Sequence, residues 1–210
     1  MTPNNPTERT AHWDRIYGIR SGKECSWFQA TPEPSLSVIR RIAPNLDAQI
    51  IDIGGGDGLL VDHLLDLGYT NLTVLDISEK AIDRAKQRLG ARSNSIQWIV
   101  SDVTEFEPKN TYDVWHDRAA FHFLRQSDHI QTYTRVAQQS LNPGGHLFLG
   151  TFSTDGPTKC SGLEIQQYSQ DTMKSVIEPA GFTSLEWASD AHITPSESVQ
   201  DFLFGLFQRN

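Results

Sequence analysis

From Gln49 onward the chain alternates short apolar runs with segments whose apolar residues recur every three or four positions. Ile50-Ile51-Asp52-Ile53 is almost continuously apolar, the signature of a strand buried on both faces. Similar runs return at Asn71 to Leu75, Ile96 to Val100, Tyr112 to His116 and 146–152. Helical patterns separate them. One runs from about Gly58 to Leu67 and ends at Gly68 as C-cap. A second covers 79–89, capped by Ser78 and stopped by Gly90, with Ala81, Ile82, Ala85 and Leu89 inward. A third runs from Ser127 or Asp128 to near Leu141. Asn142-Pro143-Gly144-Gly145 reads as a turn feeding the fifth strand. A polar loop over 153–163 precedes a helix at roughly 170–179 and two strands, about 183–189 and 198–208. With no helix between them, these two pair as an antiparallel hairpin. The pattern predicts an α/β fold: a doubly wound, mostly parallel seven-stranded sheet covered on both faces, with an antiparallel edge.

Upstream, residues 1–8 read as a frayed tail. Glu8 to Arg20 reads as a helix with Trp13, Ile16, Tyr17 and Arg20 along one side. A loop from Ser21 to Phe28 carries Trp27, and Pro32 and Pro34 open a helix bearing Leu36, Ile39, Ile42 and Ala43. The expected organisation is one domain, with 1–33 as tail and helical lid and 34–210 as core.

The 210 residues suffice for a sizeable core. The net charge of -8 argues against a non-specific grip on nucleic acid or anionic lipid. Apolar runs too short to span a bilayer and a polar start without a signal region point to a cytoplasmic location. Cys25 and Cys160 have no spacing for a disulfide framework or zinc site, and adding His116 and His122 fixes no metal geometry, so no metal is expected.

The candidate chemistry lies where the first strand meets Gly54-Gly55-Gly56-Asp57-Gly58. Glycines there let the main chain turn sharply and approach a ligand closely. A dinucleotide fingerprint, G-x-G-x-x-G, needs a third glycine at 59 or 61, and those positions are Leu59 and Val61. The spacing is instead D-x-G-x-G-x-G from Asp52, and Asp57 in the loop would face a pyrophosphate badly. Open α/β sheets bind ligands at the carboxyl ends of their strands, and three acids fall there: Asp52, Asp76 and Asp102. A carboxylate accepts both hydrogen bonds of a vicinal diol, and Asp76 stands where a ribose-binding acid is expected.

Together D-I-G-G-G-D-G, Asp76 after V-L-D, S-D-V-T-E-F, the Pro143-Gly144-Gly145 turn and the terminal hairpin resemble the class I (seven-stranded) S-adenosylmethionine-dependent methyltransferases. The resemblance covers roughly residues 34–208. It implies that Gly54, Gly55, Gly56 and Gly58 lie against the methionyl part of S-adenosylmethionine. It further implies that Asp52 orients this loop or reaches the cofactor amine through water, Asp76 holds the ribose, Ile77 packs on adenine, and Asp102 and Val103 contact the adenine edge. The stretch after the fourth strand would face the methyl group. It offers His116, Asp117 and His122 as catalytic candidates, a histidine being able to take a proton near neutral pH. The plainer alternative has Asp117 capping the turn and pairing with Arg118, with His122 on a core face.

In this family acceptor specificity is usually built from the N-terminal segment and the loop after the fifth strand. These contain Trp13, Tyr17, Trp27, Phe28, Phe152, Lys159, Cys160 and Tyr168. Trp27 would give a cation–π contact to the sulfonium or simply pack in the lid, and Lys159 beside Cys160 would favour a thiolate. With no separate domain expected for a macromolecule, a small-molecule acceptor follows. A protein (lysine) methyltransferase and a non-catalytic cofactor-binding module stay open as alternatives.

Overall fold

The computed structural model describes residues 5–19 and 22–210. Its centre is β1 (Gln49–Ile53), four of whose five residues are buried. β1 pairs in parallel with β2 (Asn71–Asp76) on one side and β4 (Tyr112–Arg118) on the other. β3 (Ile96–Val100) extends the sheet beyond β2, and β5 (Leu141–Phe152) extends it beyond β4. After a two-stranded excursion, β6 (Lys159–Cys160) with β7 (Leu163–Glu164), the chain returns as β8 (Phe182–Ile193) and β9 (Val199–Arg209). The sheet order is β3-β2-β1-β4-β5-β9-β8, with β9 antiparallel to both neighbours. The winding direction therefore reverses between β1 and β4, and ligands bind above such a point.

Alternation along the strands sends side chains to two layers. Ile51, Ile53 and Trp115 face α5 (Ser127–Ser140) and α6 (Gln170–Ile177), packing on Tyr133, Val136 and Met173. Ile50, Leu72, Val74 and Val114 face α2 (Glu33–Ile42), α3 (Leu60–Asp66) and α4 (Glu79–Leu89), packing on Leu36, Ile39, Leu60 and Leu64. A third cluster on that second face stacks Phe148, Phe202 and Phe204 under the β6–β7 excursion.

The seven-stranded sheet, its antiparallel edge and the helix order agree with the pattern; several boundaries do not. α1 (Pro6–Ile19) starts inside the expected tail, because Asn5 accepts the Glu8 N–H at 2.9 Å and Pro6 suits the first helical position. Residues 1–4, Arg20 and Ser21 lie outside the described residues. The turn before the fifth strand is an irregularity within β5: pairing jumps from Tyr112↔Leu141 to Val114↔His146. Asn142 secures it by donating to Asp113 at 2.8 Å, and Gly144 takes a φ of 77°. β8 runs four residues past the expected end, to Ile193, all four paired with β9. Among the described residues no helix is long and apolar enough to cross a membrane.

Candidate functional site

The turn leaving β1 is shaped by close approach. The N–H groups of Gly54 and Gly55 both donate to the Leu75 carbonyl, at 2.7 and 3.3 Å, which folds the loop across the end of β2. Gly54 (φ 65°) and Gly56 (φ 48°) occupy the left-handed region. A Cβ on Gly54 would stand 2.7 Å from the Ala120 Cβ; one on Gly56 would stand 2.6 Å from Tyr17 Oη and 3.0 Å from Asp76 Oδ2. Gly58 N–H closes the turn on the Gly55 carbonyl at 2.9 Å. Asp57 turns toward Arg84, 3.5 Å away.

Asp76 closes β2 almost fully buried and accepts the Ser78 N–H at 2.7 Å. Burial, reinforced by Asp52 and Asp57, raises its pKa to about 7 against the opposing hydrogen bonds from Ser78 and Gly56. Asp102 is more heavily engaged than the resemblance implies. Its Oδ1 accepts from Thr104 N–H and Oγ1 at 2.9 and 2.7 Å, and its Oδ2 accepts from Arg9 Nε at 2.6 Å. Arg9 also reaches Thr104, so α1 is clasped to the end of β3.

Between these walls lies a cleft at the carboxyl ends of the strands, where open α/β sheets bind ligands. Gly54, Asp76, Ile77, Asp102 and Val103 line its floor; Trp13, Tyr17 and Trp27 cover it; Arg118, Phe123 and Cys160 close the far end. Trp13 is the keystone of the cover, with ring centroids 5.0 Å from Phe123 and 5.9 Å from Trp27. A second, smaller cavity lies beside Asp52, Gly55, Gly58 and His116, sharing Gly54, Trp27 and Arg118 with the first. The structure therefore gathers Gly54, Asp76, Ile77, Asp102, Val103 and Trp27 in one cleft and puts Asp52, Gly55 and Gly58 in the adjoining one. Gly56 lies beneath Tyr17 and Asp76.

The three candidate catalytic residues part company. His116 lines the second cavity with both ring nitrogens engaged, Nδ1 at 2.6 Å from Asp52 Oδ1 and Nε2 at 2.8 Å from Ser35 Oγ. Because a carboxylate only accepts, Nδ1 donates to Asp52, and Nε2 pairs with the Ser35 hydroxyl. The connectivity is that of a serine–histidine–aspartate triad, but Ser35 is fully buried. The three side chains tie α2 to β1 and β4.

Asp117 points to the other face, where it accepts from Ala120 and Phe121 N–H and from Tyr133 Oη at 2.9, 3.2 and 2.7 Å. Burial raises its pKa to about 6. It caps the turn, as the plainer alternative has it, but it does not pair with Arg118, since consecutive strand residues face opposite ways. His122 is fully buried against Phe123 and Phe152, accepts the Phe152 N–H at 3.4 Å, and lines neither cavity. Burial, then the nearby Arg118 charge, lowers its pKa to about 3, so it stays neutral and has no contact with the cleft.

Tyr133→Phe takes a donor from Asp117 and an acceptor from Trp115 Nε1, both buried. The expected cost is about 1–3 kcal/mol, read as a lower urea midpoint with unchanged slope.

Of the loop residues expected at the acceptor, Phe152 and Tyr168 belong to the core, while Cys160 lines the cleft. Lys159 directs its charge to Glu164 at 2.9 Å on the surface rather than to Cys160. The pattern missed Arg9, Ser35 and Arg118. Only Arg118 carried a signal: a basic residue at the carboxyl end of the fourth strand, where ligands of such sheets bind.

Residues 51–147, just under half of the chain, match the model of the methyltransferase domain. This stretch is a methyltransferase domain. Malonyl-[acyl-carrier protein] O-methyltransferase 2 from Ilyobacter polytropus is 29% identical over 111 residues, which cover 50% of this chain and 40% of that protein. The mouse eEF1A lysine and N-terminal methyltransferase is 25% identical over 140 residues, covering 66% of this chain and 20% of that one. The chain spans less than half the length of these curated relatives. The whole fold, with the methyltransferase domain at its centre, overlays on 1,6-didemethyltoxoflavin-N1-methyltransferase from Burkholderia thailandensis. That comparison has a TM-score of 0.70 at 17% identity and covers 99% of this chain and 91% of the other, which holds 1,6-didemethyltoxoflavin and S-adenosylhomocysteine.

Proposed function

We propose that this protein transfers a methyl group from S-adenosylmethionine to a small-molecule acceptor. The observation that carries the reading is Asp76, a buried diol-competent carboxylate beside a glycine turn that a Cβ would fill, at the point where the sheet reverses. The residues present fit that cofactor. Asp76 would take the ribose hydroxyls, Ile77 and Val103 would flank the adenine, and the Gly54–Gly58 backbone would take the methionyl part. When bound, the cofactor supplies an electrophilic methyl group on a sulfonium.

Around it the chain's own work is alignment and the exclusion of water. Trp13, Tyr17 and Trp27, on the segment before residue 34, form the lid over the cleft, and Trp27 presents a ring to the cation. Asp102 and Arg9 latch that lid near the adenine edge. His116, with both nitrogens engaged, serves as a positioning residue that fixes Asp52 and α2. His116→Ala leaves Asp52 without its imidazole partner and should cost about 2–4 kcal/mol. In denaturant melts, His116→Gln should recover part of that loss.

A small acceptor agrees with the closed cleft, the net charge of -8 and the heterocycle bound by the Burkholderia enzyme. The mouse relative, named for lysine and N-terminal methylation, favours a protein acceptor as the second reading. Calorimetric titration with S-adenosylhomocysteine tests the donor. One-site binding in the micromolar range is expected, and no binding at millimolar ligand would overturn the proposal.

A further inference from the structure

Arg118 ends β4 at the junction of the two cavities and lines both. Its guanidinium is held by groups that leave most of its donors unused. Nη1 donates to the Trp27 carbonyl at 3.1 Å, and Cζ lies 4.5 Å from the centre of the Phe202 ring. Gly150 on β5 makes room for the Phe204 ring, which a Cβ there would meet at 2.5 Å, and leaves the Arg118 stem in ordinary contact. Nε and Nη2 are buried with no hydrogen-bond partner among the described residues. Asp190 acts on the charge through space, and Asp117 is engaged on the opposite face of the sheet. Burial lowers the Arg118 pKa to about 10, which leaves it charged at neutral pH.

Buried charged donors without partners are costly, and native proteins keep few of them. Nε–H and the neighbouring Nη2–H form one edge of the guanidinium fork, whose spacing matches two oxygens of a carboxylate or phosphate.

We infer that Arg118 receives an oxyanion of a ligand lying across the two cavities and holds it side-on through Nε and Nη2. The Trp27 carbonyl, accepting from Nη1, holds the guanidinium in place for that group. Two sources supply such an oxyanion: the methionyl carboxylate of the donor, or a carboxylate or phosphate on the acceptor. The inference rests on the proposed methyl-transfer function and deepens it by naming the chemistry this junction selects.

The test begins with the wild-type protein, so it does not depend on a variant folding. S-adenosylhomocysteine and its decarboxylated counterpart are titrated calorimetrically. If the donor is the source, loss of the carboxylate weakens binding at least tenfold, and Arg118→Gln binds both ligands equally weakly. If the acceptor is the source, the two bind wild type alike. Label transfer from methyl-labelled S-adenosylmethionine into a metabolite extract then falls at least tenfold once the extract has passed through an anion exchanger, and returns with the eluate. Equal binding of the two titrants, together with labelling that survives anion depletion, overturns the inference alone. Binding of neither titrant overturns the methyl-donor reading and takes this inference with it.

Discussion

Asp76→Ala is expected to weaken S-adenosylhomocysteine binding by roughly one to two orders of magnitude, the equivalent of about 1.5–3 kcal/mol for hydrogen bonds to a charged group. The wild-type comparison carries a pH signature that a mere packing defect lacks. In the ligand-free protein burial holds the Asp76 pKa at about 7, above the ordinary aspartate value of 3.8. Between those two values the folded state keeps a proton that the unfolded chain has released. This group's contribution to stability is therefore fully present below pH 3.8 and is lost as pH rises through 7.

A ribose diol donates to the carboxylate and so favours the ionised form. Binding below pH 7 then expels a proton, and the dissociation constant should rise about tenfold per unit as pH falls beneath 7. Calorimetry at pH 6 in buffers of different ionisation enthalpy reads that release directly. Asp76→Asn should bind weakly at every pH and release no proton through this group. A wild-type affinity that is flat from pH 6 to 8 would contradict the role given to Asp76.

Gly54→Val should be the most damaging single change in the site. A branched side chain at φ 65° is strained, and its Cβ meets Ala120 at 2.7 Å, an atom fixed to the backbone. Conformational strain and overpacking together should cost about 2–5 kcal/mol, and cofactor binding should be lost even where the fold survives. Gly90→Val is the control, because Gly90 has a similar φ of 57° and a Cβ added there would meet nothing within 4 Å. With ψ at -130° it should show backbone strain without a side-chain clash, about 1–3 kcal/mol, with cofactor affinity intact. Loss of cofactor affinity in Gly90→Val as well would show that the effect of Gly54→Val is general destabilisation and not the close approach to Ala120.

The sheet was legible because burial on both faces leaves a simple mark, as in Ile50-Ile51-Asp52-Ile53, and because Ser78, Gly68 and Gly90 punctuate the helices. The acids at the strand ends, Asp76 and Asp102, stood out for a similar reason: each follows an apolar strand run. What failed depended on facing and on partners. Asp117 and Arg118 are adjacent in sequence yet lie on opposite faces of β4. His122 looked like a base in reach of the methyl group and proves to be wrapped in Phe123 and Phe152.

Contacts between distant segments left no mark at all. Arg9 meets Asp102 across 93 residues and Ser35 meets His116 across 81. Neither arginine nor serine is unusual where it stands in the chain. Such pairs are set by the packing of α1 and α2 onto strand ends, and no local period encodes that packing.

The most direct test of the central claim is to incubate the protein with methyl-labelled S-adenosylmethionine and cell extract, then separate small molecules from protein. The account predicts label in the small-molecule fraction, reduced to background by Asp76→Ala. Label mainly in protein, or in neither fraction, would contradict it.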